Sequence, residues 1–142
     1  MPTSSRFAVA VHILAFLARD RKRAHRSEEI AGSICTNPSV VRRILGDLAR
    51  AGLTTSQLGK GGGALLARGP KKISLLEIFN AVEDQSLVAM HRTPPSQACD
   101  IGRTIQPVLG SITKSAEAAF FEELEMHSLK DVVRSIQTAA AA

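Results

Sequence analysis

The sequence contains no tryptophan or tyrosine and only two cysteines among its 142 residues. Without tyrosine or tryptophan, a surface on which single-stranded bases stack against aromatic rings is not expected. The two cysteines, Cys35 and Cys99, are too few for a disulfide framework or for a zinc site built from cysteine pairs. Such sparing use of cysteine is typical of a reducing compartment, so we expect a cytoplasmic protein.

The sequence also lacks a hydrophobic run long enough to cross a bilayer. The longest apolar segment, residues 7–18, contains His12 and leads into the charged stretch 19–23, so it predicts a buried helix and no membrane association. Acidic residues are scarce in residues 1–72, where 13 Lys/Arg against 4 Asp/Glu give +9, whereas 73–142 hold 5 against 9, giving −4. A basic half is typical of a surface that binds a polyanion, although a solvated basic face has the same composition.

Three helices are predicted in the first third of the chain. Apolar residues at helical spacing indicate a helix over 4–19, and Ser27 is a candidate N-cap for a short second helix. Asn37-Pro38 is typical of a helix start, and Gly52 is typical of the end of that third helix. Its predicted buried stripe comprises Val41, Ile44, Leu45 and Leu48. The tight turn between the second and third helices predicts a helix-turn-helix. We expect Cys35, which lies in this turn, to be buried.

The glycine-rich stretch LGKGGG, residues 58–63, has two interpretations. A phosphate-binding loop requires Ser or Thr after Gly-Lys and a helix directly after the glycines, but Gly61 follows Lys60 and residues 64–68 are strand-like. Strands over 53–57 and 64–68 predict a β-hairpin instead, which after a helix-turn-helix is the wing of a winged helix. Its glycines let the backbone approach a partner, and Lys60 supplies a charge for DNA phosphate.

The rest of the chain is predicted to be helical apart from an irregular connection over 84–103. Ser74 and Glu77 form a capping-box pattern that begins a fourth helix. A long helix is expected over 104–127, in which Pro107 is tolerated in the first turn and otherwise produces a kink. Its apolar seam comprises Ile105, Val108, Ile112, Ala116, Ala119 and Phe120. Ser128 is a candidate cap for a last helix with Val132, Val133 and Ile136 inside, followed by an alanine tail that we expect to fray.

The buried stripe of the third helix leaves its N-terminal residues facing outward. In helix-turn-helix docking such residues reach base edges in the major groove, where Arg42 and Arg43 could read guanine or bind phosphate. The alternative is a solvated arginine pair. The predicted DNA contacts are Ser27, Asn37, Ser39, Val40, Arg42, Arg43, Lys60, Gly61 and Gly62. A basic cluster formed by Arg21, Lys22, Arg23 and Arg26 is expected to add nonspecific attraction to DNA.

Several segments in this order resemble the Rrf2 (Rrf-two) family of winged-helix transcription regulators, in particular its YwnA-like branch. They are SRFAVAVHIL at 5–14, TNPSVVRRIL at 36–45, GGG at 61–63, ISLLEIFNAVE at 73–83 and CDIG at 99–102. The resemblance implies a mainly α (α+β) fold with a winged helix-turn-helix DNA-binding domain over 1–83. It implies that 84–142 hold the connection, a long dimerisation helix and a C-terminal helix. It further implies a homodimer that binds a near-palindromic site in double-stranded DNA.

The resemblance has one departure that bears on cofactors. Cluster-binding members carry three closely spaced cysteines before the long helix, whereas this chain has only Cys99 there, so we predict no iron–sulfur cluster and no other cofactor. Cys99 is instead a candidate redox sensor. His91 and His127 lack a metal-site spacing, so no metal is expected.

The sequence therefore predicts a sequence-specific DNA-binding regulator, as a homodimeric repressor that responds to a redox or small-molecule signal. The alternative is a protein-interaction module that regulates a partner enzyme. We do not expect an enzyme, because no nucleophile–base pair, carboxylate pair or metal constellation is evident.

Overall fold

The computed structural model describes residues 4–84 and 86–142. Within these ranges the chain forms six α-helices, a two-stranded antiparallel sheet and a short 3-10 turn, so the predicted mainly α winged helix-turn-helix fold is confirmed. The elements are α1 (Arg6–Arg19), α2 (Ser27–Ile34), α3 (Pro38–Arg50), β1 (Thr54–Gln57), β2 (Gly63–Leu66), the 3-10 turn Pro70–Lys72, α4 (Leu75–Val82), α5 (Asp100–Glu125) and α6 (Leu129–Ala141). The described residues divide into two units, 4–84 with 124–142, and 86–123.

The core of the first unit is built around α1, which packs against α3, α4 and α6. Helices α1 to α4 each bury two or more apolar residues on one face, as their hydrophobic periodicity requires, and α6 buries Leu129. The fully buried residues include Ile13, Leu14, Ile30, Leu48, Leu53, Ile73, Ile78 and Leu129. Because Leu129 of α6 lies in this core, the last helix is part of the same unit as the helix-turn-helix.

The helix-turn-helix comprises α2 and α3, and two details of its turn differ from the predictions. Ser27 is the first residue of α2, and Arg26 is its N-cap without a side-chain capping bond, because His25 pairs with Ala64 and holds the chain extended until Arg26. Cys35 is exposed, since it ends α2 in the left-handed conformation with φ of 63°. Asn37 caps α3 as predicted, accepting a hydrogen bond at 2.9 Å from the Ser39 N–H.

The predicted hairpin is present and follows directly from the end of α3. The Leu53 N–H donates to the Leu48 carbonyl at 2.9 Å, which ends α3 and turns the chain into β1. The strands pair antiparallel, with Thr54 opposite Leu66 and Gln57 opposite Gly63. The buried ends of both strands attach the hairpin to the core, whereas its tip, residues 58–61, is exposed.

Helices α4 and α6 begin with the same device. Ser74 with Glu77, and Ser128 with Asp131, form capping boxes in which both reciprocal hydrogen bonds are present. The two helix starts are joined, since the Leu75 N–H donates to the His127 carbonyl at 2.9 Å and the Leu129 N–H donates to the Ile73 carbonyl at 2.8 Å. These bonds fix the beginning of α6 against α4.

Three predictions for the C-terminal helices were wrong. The long helix begins at Asp100, whose carboxylate accepts from the Ile101 N–H at 3.0 Å, so Pro107 lies within the helix and removes a hydrogen bond from its second turn. The alanine tail is helical to Ala141. Ile136 is 52% exposed, because it lines a groove of about 600 Å³ between α1 and α6. Within the described ranges, no helix is both long and apolar enough to span a membrane.

Candidate nucleic-acid interface

The N-terminal part of α3 presents polar and basic side chains to solvent. Asn37, Ser39, Arg42 and Arg43 are exposed, as predicted. Val40 is half-buried against the core, because it lies one helical turn before the buried Ile44 and shares its face. The polar residues are therefore available to a partner, whereas only part of Val40 is.

Arg42 is held by one weak partner in the described structure. Its guanidinium lies 3.4 Å from a carboxylate oxygen of Glu28, and the two side chains are 57% and 61% exposed. An ion pair this exposed contributes little, at most about 1 kcal/mol. A DNA phosphate or base edge could replace Glu28 at small cost.

A groove of about 430 Å³ lies between α3 and the hairpin. Ser27, Arg42 and Gln57 line it, together with His25 at its base. The structure thus brings together Ser27 and Arg42, two predicted contacts that lie on different helices. Their common groove connects the outward face of α3 with the hairpin.

The hairpin tip carries the remaining predicted residues. Lys60 and Gly61 are exposed, and Gly61 has a φ of +77°. Gly62 is half-buried, since its N–H donates to the Gly59 carbonyl at 3.0 Å. The sequence analysis missed Leu58, which is 90% exposed beside Lys60 and was recognisable only as an apolar residue within a polar turn.

The sequence analysis also missed His25, which connects the hairpin to the helix-turn-helix. Its backbone pairs with Ala64 of β2 through hydrogen bonds of 3.0 and 2.8 Å. Its buried ring places Nε2 at 2.8 Å from the Asp20 carbonyl and Nδ1 at 3.2 Å from the Glu29 carboxylate. The edge of the Phe16 ring completes the site at 5.3 Å between ring centroids. No local pattern marks this histidine, because its partners come from three separate elements.

One member of the predicted basic cluster has an intramolecular partner. The Arg23 guanidinium donates two hydrogen bonds, of 3.0 and 2.8 Å, to the Glu29 carboxylate. These bonds, reinforced by His25, lower the pKa of Glu29 to about 2. The same carboxylate raises the pKa of Arg23. All four residues of the cluster are exposed, but Arg23 is also tied to the start of α2 through Glu29.

The second unit carries the predicted apolar seam and Cys99. Ile112 of the seam is 63% exposed in the single chain, and no residue of α5 is fully buried. The Cys99 thiol is exposed at the start of α5, 4.0 Å from the Asp100 carboxylate. Gly102 permits a close approach here, because a Cβ at this position would lie 2.2 Å from the Ser96 carbonyl oxygen.

The chain is similar to proteins of one regulator family. It is 42% identical, over 94% of its length and 98% of the relative's, to YwnA of Bacillus subtilis (strain 168), whose name describes an HTH-type transcriptional regulator. A crystal structure described as that of a DNA-binding protein is 41% identical, with a TM-score of 0.73 over 90% of this chain and 98% of that one. T. potens IscR, at 20% identity, has the same fold, with a TM-score of 0.75 over 98% and 90% of the two chains.

The family model that matches residues 3–135 is Rrf2, described as an iron-dependent transcriptional regulator. The residues of this chain do not fit an iron–sulfur cluster, because the sequence has only two cysteines and such clusters take several thiolates. Among the described residues, no group of three or more His, Cys, Asp or Glu could hold a metal ion. The relatives named above are transcriptional regulators and not enzymes, which agrees with the prediction from the sequence that this protein is not an enzyme. The match spans nearly the whole chain, which therefore belongs to the Rrf2 family of transcriptional regulators.

Proposed function

We propose that the protein is a sequence-specific, homodimeric repressor that binds a near-palindromic operator in double-stranded DNA in the cytoplasm. The observation that carries this proposal is the cluster of exposed polar and basic residues at the N-terminus of α3. In helix-turn-helix proteins this end of the second helix enters the major groove. The proposal assigns DNA binding to 1–83 and, within 84–142, dimerisation to the long helix α5, which lies between the connection and the C-terminal helix.

Each predicted contact has a role that suits its environment. Arg42 and Arg43 would read guanine or bind phosphate, with Arg42 exchanging Glu28 for DNA. Asn37 and Ser39 would bind phosphate or base edges at the same helix end. Lys60 would bind phosphate or enter the minor groove from the hairpin tip, where the glycines keep the backbone unobstructed.

Dimerisation through α5 would cover its exposed apolar seam. Isolated exposed apolar residues are normal on a surface, but a continuous stripe along a helix is typical of an interface. A two-fold dimer presents two recognition helices about 34–36 Å apart, one turn of DNA. The predicted contacts of this interface are Ile105, Val108, Ile112, Ala116, Ala119 and Phe120.

The signal to which the repressor responds would be a redox change or a small molecule. For the first, the exposed Cys99 thiol at the start of α5 is accessible to an oxidant. Oxidation there would alter the helix that we assign to the dimer interface. DNA binding would then respond through the arrangement of the two subunits.

The proposal is tested by capturing sheared genomic DNA with the reduced protein and sequencing what is retained. We expect a narrow set of fragments that share a palindrome, and sedimentation showing two chains per duplex. Arg42→Gln and Arg43→Gln should each weaken binding by about 1–3 kcal/mol where the arginine reads a base, or lower the salt slope by about one where it binds phosphate.

Arg50→Gln is the matched control, since Arg50 is exposed at the opposite end of the same helix. It should bind DNA as the wild type does. If no fragment is enriched, or if all three variants bind equally, the DNA-reading surface is wrongly assigned. An interaction module acting on a partner enzyme would then be the better interpretation.

A further inference from the structure

A second basic surface lies where the 3-10 turn meets α6. It is a cleft of about 470 Å³, whose uncharged lining residues are Ala18, Gly69, Pro70, Val133 and Gln137. Five basic residues surround it: Arg21, Lys71, Lys72, Lys130 and Arg134. None of the described residues that line this basic cleft is acidic.

The positive charges in the basic cleft are crowded together by the fold. The ammonium group of Lys130 lies beside that of Lys71, and the repulsion lowers the pKa of Lys130, with a further contribution from Arg134. Like charges that lie near one another repel, and an anion bound between them relieves the repulsion. The grouping of Lys71, Lys130 and Arg134 therefore favours an anion at this cleft.

The neighbouring carboxylates lie outside the lining of the basic cleft. Glu77, Glu125 and Asp131 line an adjoining cleft, which shares Lys71 and Lys72 with the basic cleft. Glu77 is bound to Arg68, and Asp131 accepts a hydrogen bond at 2.9 Å from the Ser128 N–H while Arg134 acts on it at longer range. Arg21, Lys130 and Arg134 do not line the adjoining cleft, so the basic cleft keeps three cations that no carboxylate of its described lining faces.

We propose that the basic cleft binds a small multivalent anion that carries phosphate groups. Its volume falls within the range of about 300–1,000 Å³ that is typical of small-ligand pockets. Ammonium and guanidinium groups converging from three segments match the several oxygens of such an anion. The site is a feature of this chain's surface that DNA recognition by α3 does not use.

Two sources of phosphate have to be distinguished, a free anion and the DNA backbone. The basic cleft is built by the segment after α1, the 3-10 turn and α6. Of its residues only Arg21 belongs to the basic cluster expected to attract DNA nonspecifically, and none is a predicted contact of α3 or the hairpin tip. It shares no lining residue with the groove between α3 and the hairpin. A concave site set apart from the predicted interface favours a compact free anion over a duplex.

The test is calorimetric titration of the full chain with inorganic pyrophosphate, with NaCl matching the ionic strength. The wild type should bind, and Lys130→Gln/Arg134→Gln should weaken binding by about a hundredfold, since each of the two lost charge-assisted hydrogen bonds costs roughly tenfold. Arg42→Gln/Arg43→Gln carries the same change of charge outside the cleft and should bind pyrophosphate normally. Lys71→Gln, on the exposed 3-10 turn, provides a second cleft variant whose fold is checked by circular dichroism.

Three results would overturn the proposal: no binding of pyrophosphate to the wild type, equal binding by the cleft variants, or equal weakening by the control. A free anion would also be excluded if the cleft variants lowered the affinity and salt slope for duplex DNA as much as Arg42→Gln does, because the backbone would then be the source of phosphate. Normal binding of pyrophosphate by a protein that binds no DNA would support this site and contradict only the proposed function.

Discussion

Replacing Gly63 with alanine should separate the hairpin from the helix-turn-helix. Gly63 begins β2, next to the Ala64 that pairs with His25, and its φ of +150° is rarely adopted by residues with a side chain. A methyl group at this position would lie 2.3 Å from the His25 carbonyl oxygen and 3.0 Å from the His25 nitrogen. Both obstacles are backbone atoms, so no side-chain rotation relieves them.

The cost is expected to be large for a single methyl group. Backbone strain of this kind costs about 1–3 kcal/mol, and forcing an extra methyl into packed surroundings costs about 1–3 kcal/mol more. The sum, about 2–6 kcal/mol, is a large share of a typical domain stability of about 5–15 kcal/mol. Gly61→Ala is the matched control, because Gly61 also has a positive φ of +77° but a Cβ there meets no atom within 4 Å. Its cost should be limited to about 1–2 kcal/mol of backbone strain.

Urea unfolding followed by far-ultraviolet circular dichroism measures both variants, since the chain has no tryptophan to report by fluorescence. With a slope of about 1–3 kcal/mol per molar urea, the Gly63→Ala midpoint should fall by at least about 0.7 M, to a value below that of Gly61→Ala. Equal midpoints for the two variants would refute the reasoning. The close approach of β2 to His25 would then not constrain the folded state.

Two further predictions concern charge and thiol chemistry. The pKa of Glu29 is lowered from 4.5 to about 2, so its contribution to stability is fully present above pH 4.5 and is lost as the pH falls through about 2. As the pH is lowered between those values, the urea midpoint of Glu29→Gln should therefore fall less than that of Glu28→Gln. If the midpoints of the two variants fell equally with pH, the lowered pKa of Glu29 would be contradicted. Cys99→Ser should leave DNA binding by the reduced protein unchanged and abolish its sensitivity to mild oxidation, whereas Cys35→Ser, at the other exposed thiol, should retain that sensitivity. Oxidant sensitivity that persisted in Cys99→Ser would remove this residue as the sensor.

Helix starts that depend on a side-chain cap were predictable from the sequence. Asn37, Ser74 and Ser128 each accept the expected backbone N–H, because a cap involves only residues within one turn. Ser27 has the same chemistry but does not cap α2, since pairing of His25 with β2 decides where that helix begins. Local signals thus failed where a distant segment sets the backbone conformation.

Burial was less predictable than helix position, for a related reason. Ile136 follows the helical spacing of Leu129 and Val133, yet it is exposed because a groove separates α6 from α1 at that point. Cys35 is a small apolar residue in a tight turn, yet the left-handed conformation that ends α2 leaves it in solvent. Periodicity indicates which face of a helix is apolar, but the neighbouring element decides how much of that face is covered.

The candidate interface depends both on local sequence signals and on contacts between segments that are distant in the sequence. The side chains proposed to contact DNA lie on short segments with strong local signals, the start of α3 and the glycine-rich tip. The position of the hairpin relative to the start of α2 depends on His25, whose ring and backbone contact the end of α1, α2 and β2 together. Sequence reasoning could therefore name the residues that we propose to contact DNA. The spacing between the two segments that carry them depends on a buried histidine, which becomes evident only when its three partners are brought together by the fold.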